Sequence, residues 1–238
     1  MRKKLSVLML AGVMMLSLTA CGKSDAAGEP EEVLPTLTTV AASGTAMDDT
    51  SSEGEQAREQ KILVAYFTAA ENSGVDAVSS ASYTTVNGQA VGRLRAVADW
   101  IAEETGGELF SIRTETVYPA DGGELINYAD EEQAEDARPV LTSHIEDPDQ
   151  YDVIFVGFPT WWYDMPQALY SFFDEYDFSG KTIIPFNVHN GSRFSGTIST
   201  IQELEPEATV IEDGFTVSEQ NVANAAGDVR DWLRGLGY

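Results

Sequence analysis

The chain has 238 residues, 43% of them hydrophobic and 22% charged, and a formal net charge of −25. That length and balance fit one globular domain with appendages, and so acidic a surface argues against nucleic acid as a partner. A single cysteine and two histidines leave no internal disulfide, no CxxC exchange motif and too few soft ligands for a zinc or iron centre.

The N-terminus carries Arg2, Lys3 and Lys4, then an apolar run over residues 5–18 that is short for a membrane span. Leu18-Thr19-Ala20-Cys21 follows. Charge, apolar run and small-small-Cys together resemble the bacterial lipobox. The resemblance implies that residues 1–20 are a signal peptide and that Cys21 is lipidated, an anchor rather than a catalyst. The protein would then be extracytoplasmic, held to a bacterial envelope membrane through its N-terminal lipid only. One acyl chain binds only marginally, so stable anchoring takes several. Residues 22–60 are rich in Ala, Ser, Thr, Glu, Asp and Pro without apolar periodicity, which predicts a disordered stalk. The expected organisation is therefore signal peptide 1–20, lipidated stalk 21–60 and folded domain 61–238.

Residues 61–67 (KILVAYF) form a continuous apolar run that reads as a strand buried on both faces. Residues 75–88 are rich in Ser, Thr, Asn and Gly. A helix is expected from about Gln89, with Val91, Leu94, Val97, Ala98 and Ile101 on one face and Gly106-Gly107 closing it. Residues 108–112 are the next strand. Residues 121–137 carry many acids and read as an exposed helix with a solvated face, stopped by Arg138-Pro139. Residues 152–158 are a third buried strand, ended by Gly157-Phe158-Pro159. Pro166 opens a helix to Asp174, residues 181–186 are a fourth strand, and 187–196 its loop. Gly180-Lys181-Thr182 is not a P-loop, because Glu175 replaces the first glycine and a strand follows. A short helix over 198–204, a last strand region at 209–211 with 215–217, and a closing helix over 222–233 complete the chain.

Strands alternating with helices predict an α/β fold, a three-layer, doubly wound, five-stranded parallel sheet in the order 2-1-3-4-5. Ligands of such sheets bind outside the carboxyl ends of the strands. Three loops leave those ends. The first holds hydroxyls and an amide before a helix N-terminus, which favours an anion. The second holds Trp161, Trp162 and Tyr163, which either cap the core or wall a flat ring. The third holds polar and glycine residues. A phosphate end, a flat middle and a polar edge describe flavin mononucleotide (FMN).

The quoted motifs Tyr66-Phe67-Thr68, Pro159-Thr160-Trp161-Trp162, GKTIIPF over 180–186 and Val188-His189-Asn190-Gly191-Ser192 together resemble the flavodoxin superfamily. The resemblance covers 61–238. It implies non-covalent FMN and one- or two-electron transfer to a redox partner. By position it implies Thr68, Ala69, Asn72 and Ser73 at the phosphate. Pro159, Thr160, Trp161, Trp162 and Tyr163 would flank the ring, with His189, Asn190, Gly191 and Ser192 at its N5 and O4 edge. The chain departs from the compact Ser/Thr-x-Thr-Gly-x-Thr phosphate loop: Thr68-Ala-Ala-Glu-Asn-Ser is followed by an insertion to Asn87. Ser79, Ser80 and Ser82 are therefore further hydroxyl candidates, and an inward Glu71 would repel a phosphate. The expected function is a membrane-tethered FMN electron-transfer protein. The alternatives are an FMN-dependent quinone or NAD(P)H reductase, although no GxGxxG is present, and a binding lipoprotein of this fold without FMN.

Overall fold

The computed structural model describes residues 60–73 and 83–238. The expected signal peptide, Cys21, the stalk, and Ser79, Ser80 and Ser82 lie outside those residues. Among the described residues, no helix is long and apolar enough to cross a membrane.

Among the described residues, eight strands and five α-helices follow in chain order: β1 Ile62–Tyr66, β2 Tyr83–Val86, β3 Gln89–Gly92, α1 Arg93–Thr105, β4 Glu108–Ser111, α2 Gly122–Ala134, β5 Val153–Pro159, α3 Gln167–Glu175, β6 Thr182–His189, α4 Thr197–Leu204, β7 Thr209–Val210, β8 Phe215–Ser218 and α5 Ala226–Leu236. The main sheet runs β4-β1-β5-β6-β7, with β8 also on β6, and every pairing in it is parallel. Counted within this sheet alone, that is the expected 2-1-3-4-5 order. Its fifth position is filled in two pieces. β7 pairs with Thr182 and Ile183, and β8 with the stretch from Phe186 to His189. The gap falls opposite Ile184 and Pro185, and Pro185 has no N–H to donate there.

The alternation of side chains in the strands makes two cores. Leu63, Ala65, Phe67, Ile154, Val156 and Phe158 pack against α2, α3 and α4 residues such as Leu125, Leu169, Phe172 and Ile201. Val64, Tyr66, Val153 and Phe155 pack instead against Leu94, Val97 and Ile101 of α1 and Val229 and Leu233 of α5. The central strands are buried on both faces, which is why they read as unbroken apolar runs.

The helix expected from Gln89 begins later, at Arg93. Residues 83–92 are an antiparallel hairpin, turned at Asn87 (φ 52°) and Gly88 (φ 79°). Asn-Gly between β-forming residues is the strongest short hairpin signal, because both turn positions need positive φ. Val91 therefore belongs to a strand, not to the helix face. The third loop is also shorter than expected, since β6 continues through Asn187, Val188 and His189.

Candidate functional site

The carboxyl ends of β1, β5 and β6 open into one cleft of about 550 Å³, within the roughly 300–1,000 Å³ range of ligand clefts. β5 and β6 approach closely near those ends. Gly157 of β5 faces Phe186 of β6 in register, and a Cβ at 157 would lie 2.1 Å from Phe186 Cζ. Only a glycine lets that ring lie flat between the two strands.

Beyond β5 the chain makes a four-residue turn. Trp161 and Asp164 exchange two backbone hydrogen bonds, each 2.8 Å. Trp162 (φ 47°) and Tyr163 (φ 65°), the central residues, are both left-handed. Such a conformation costs about 1–2 kcal/mol for a residue with a Cβ, so the surroundings must hold it. They do so with side chains. The Asp164 carboxylate accepts from Met165 N at 2.8 Å and from the Tyr170 hydroxyl at 2.7 Å, and Trp162 Nε1 donates to the Ile126 carbonyl of α2 at 2.8 Å. The turn separates the three aromatics. Trp161 packs against Phe67 and Tyr118, with centroids 5.7 Å away in each case, and still lines the cleft. Trp162 and Tyr163 stand exposed at its rim. Trp161 thus packs on the core and lines the cleft at once, whereas Trp162 and Tyr163 are rim residues.

Asn187 is fully buried and ties the second loop to the third. Its Nδ2 donates to Thr160 Oγ1 at 2.6 Å and to the Arg193 carbonyl at 2.8 Å, while Thr160 Oγ1 donates to the same carbonyl. His189 ends β6, and its Nδ1 accepts from Gly191 N at 2.8 Å. Burial, and then the nearby Arg193, hold its pKa below the ordinary value. A neutral ring is consistent with an accepting Nδ1.

The first loop is built around two pins. Glu71, feared as a repellent of phosphate, points away from the cleft into a cluster. Ser111 Oγ donates to it at 2.6 Å, Arg113 Nη2 at 3.1 Å, and Arg95 Nη1 and the Tyr66 hydroxyl at 3.2 Å. Asn72 is the other pin. Its amide donates to the carbonyls of Thr68 (3.0 Å) and Ile112 (3.1 Å), and its oxygen accepts from Thr114 N at 3.0 Å. Both ends of that side chain are committed to holding the loop. Neither Asn72 nor the buried Ser73 lines the cleft, whereas Thr68 and Ala69 do. Arg93 and Leu94, at the start of α1, continue this wall. Arg93 Nη1 pairs with Glu219, just after β8, at 3.1 Å.

The remaining wall is α2. Asp121 caps it, accepting from Gly123 N at 2.9 Å and Glu124 N at 3.1 Å. Leu125, Ile126 and Ala129 face the cleft, so this helix is less fully solvated than its acids suggest. On its buried side Glu132 accepts from the Tyr118 hydroxyl at 3.2 Å, and burial raises its pKa to about 7.

The cleft therefore gathers Thr68, Ala69, Pro159, Thr160, Trp161, Trp162, Tyr163, His189, Asn190, Gly191 and Ser192 from three separated stretches. Arg93, Leu94, Glu219 and the α2 residues were not among the sequence candidates. For α2 a signal existed: Leu125 and Ala129 are one turn apart behind an N-cap aspartate. For Arg93 the signal was a cation in a first helical turn, where acids are favoured. Aromatic and aliphatic walls together with a hydroxyl, a guanidinium and backbone amides fit a planar ligand with an anionic tail.

The family model described as flavodoxin matches residues 61–235. No curated protein matches the sequence. Among solved structures, a protein assigned as a flavoprotein from Bacteroides uniformis ATCC 8492 is 25% identical, with a TM-score of 0.57 over 74% of this chain and 99% of that one. Another such assigned protein, from Bacteroides eggerthii DSM 20697, is 23% identical, with a TM-score of 0.57 over 75% of this chain and 98% of that one.

Proposed function

The chain belongs to the flavodoxin family, and from that membership and the cleft together we propose that it binds FMN non-covalently and transfers electrons through it. The observation that carries this reading is the convergence of three loops, distant in sequence, on one aromatic-walled cleft at the point where the strand order reverses. Bound FMN supplies one- or two-electron redox chemistry; the chain supplies its position and surroundings.

Trp161, edge-on to Phe67 and tilted against Tyr118, presents a fixed face to a flat ring. The Trp162–Tyr163 turn, tethered to α2 through Ile126, keeps water from that side. The loop from Asn190 to Ser192 offers backbone groups to the ring edge, and neutral His189 adds no charge beside it. Thr68, Ala69 and Arg93, from the first loop and the start of α1, are the groups that would receive an anionic tail. An acidic protein with an aromatic site disfavours added negative charge on the ring, which lowers its potential.

The same proposal places the domain outside a bacterial membrane, on a stalk lipidated at Cys21. The support is the sequence alone: the basic start, the apolar run and Leu18-Thr19-Ala20-Cys21. Expressed whole, the chain should partition with membranes, and Cys21→Ser should release it.

The direct test is a visible absorption spectrum. A purified protein should be yellow or become so with added FMN, and Trp161→Ala should weaken that binding by roughly tenfold or more, as loss of one aromatic stacking face does. A colourless protein that takes up no FMN sinks the reading.

A further inference from the structure

We propose that Arg93 is the cation that takes a flavin's phosphate and that Glu219, its present partner, competes with the phosphate for it. The ligand is then selected by its phosphate through an exchange of anions. This rests on the FMN reading of the cleft and adds a charge mechanism to it.

Three observations carry it. First, Arg93 and Glu219 both line the cleft, Arg93 following Gly92, which lies against Thr68, and Glu219 bonded to His189, and among the described lining residues they are the two that carry a formal charge at neutral pH. Second, the pair is 3.1 Å apart with side chains only 18% and 28% exposed, so its field acts at close range with limited solvent screening. Third, Glu219 is held in place by its backbone: its N–H donates to the His189 carbonyl at 2.8 Å. Its carboxylate is thus presented by the end of β8 to Arg93 at the start of α1.

The charges decide the direction of the exchange. The protein as a whole carries −25, and its long-range field repels a dianion. A local guanidinium, with donors that match phosphate oxygens, offsets that repulsion. Glu219 holds the guanidinium with one negative charge, whereas a phosphate monoester brings −1.5 to −2 and three acceptor oxygens. The phosphate should win, but it must displace the carboxylate to do so. A flavin without a phosphate displaces nothing and gains nothing. The family's hydroxyl-rich phosphate loop is interrupted in this chain, and Asn72 is committed to holding the loop, so a cation at this end has a role to fill.

The test titrates the full-length chain with FMN and with riboflavin at fixed ionic strength, following flavin fluorescence. Arg93→Gln should weaken FMN roughly tenfold or more while riboflavin changes less than about twofold. Arg93→Lys should restore part of the preference. Glu219→Gln should tighten FMN several-fold and leave riboflavin alone. Arg230→Gln, a remote exposed cation paired with Glu104, should change neither, which controls for net charge. Equal losses of both flavins in Arg93→Gln would make the pair a structural staple and overturn the proposal. Weaker FMN binding in Glu219→Gln would overturn it as well, by making Glu219 a support rather than a competitor. If the unmutated chain binds neither flavin, the FMN reading itself fails and this inference falls with it.

Discussion

Glu132 is a carboxyl in a place that suits its neutral form. It is 7% exposed, and burial lifts its pKa from the ordinary 4.5 to about 7. A carboxyl whose folded value is raised contributes its full stability below the unfolded value and loses it as pH climbs through the folded one. The loss falls here between about 4.5 and about 7. Glu132→Gln keeps the acceptor for the Tyr118 hydroxyl without the charge. We expect it to stabilise the protein by about 1–2 kcal/mol at pH 8 and by almost nothing at pH 5, read from denaturant midpoints at the two pH values. Equal effects at both would rule out the burial cost. Gly157 poses the opposite problem. A methyl there would enter the Phe186 ring, so Gly157→Ala should cost roughly 2 kcal/mol or more. Its signal in the sequence was real but unspecific: a glycine ending an apolar run marks a strand end, and the ring opposite it is 29 positions further along the chain.

At the scale of elements, the turn from Trp161 to Asp164 and the pinned loop from Thr68 to Ser73 do the positioning. Tyr163 is 74% exposed and left-handed, and the bonds that hold the turn run through Trp161, Trp162 and Asp164. Tyr163→Gly should therefore leave stability unchanged or raise it by up to about 1 kcal/mol, whereas Trp162→Gly also removes the Nε1 bond to Ile126 and should not gain. Glu71 is the keystone of its loop. Glu71→Ala leaves Arg95, Arg113, Ser111 and Tyr66 without their shared acceptor, and should cost about 2–3 kcal/mol and loosen the phosphate end. Thermal unfolding with and without FMN separates those two effects. Most elements were legible because each carries its own periodicity. The hairpin at 83–92 was missed although Asn87-Gly88 announced it; the apolar Val91 had been counted with the helix that follows.

At the scale of the whole molecule, ligand and fold are linked by mass action. FMN at a hundredfold excess over its dissociation constant should add about 2.7 kcal/mol to stability, a rise of roughly 5–10 °C in melting temperature for a domain of this size. No rise at saturating FMN would count against the cleft as its site. The doubly wound order follows from the alternation of strands and helices, and the split of the fifth position into β7 and β8 does not. That split sets Glu219 beside Arg93, because β8 runs alongside the last four residues of β6 and delivers the chain to the cleft.

By itself, the amino-acid order determined which stretches are strands buried on both faces, which loops leave their carboxyl ends, and hence that Thr68, Trp161 and His189 meet around one cleft. Those are local properties, written in hydrophobic period and in turn residues. Only the folded chain decided that Asn72 and Glu71 serve the loop rather than the ligand, that Trp161 belongs to wall and core at once, and that Arg93 meets Glu219. Each of those outcomes depends on distances between residues far apart along the chain, and no local pattern encodes such a distance.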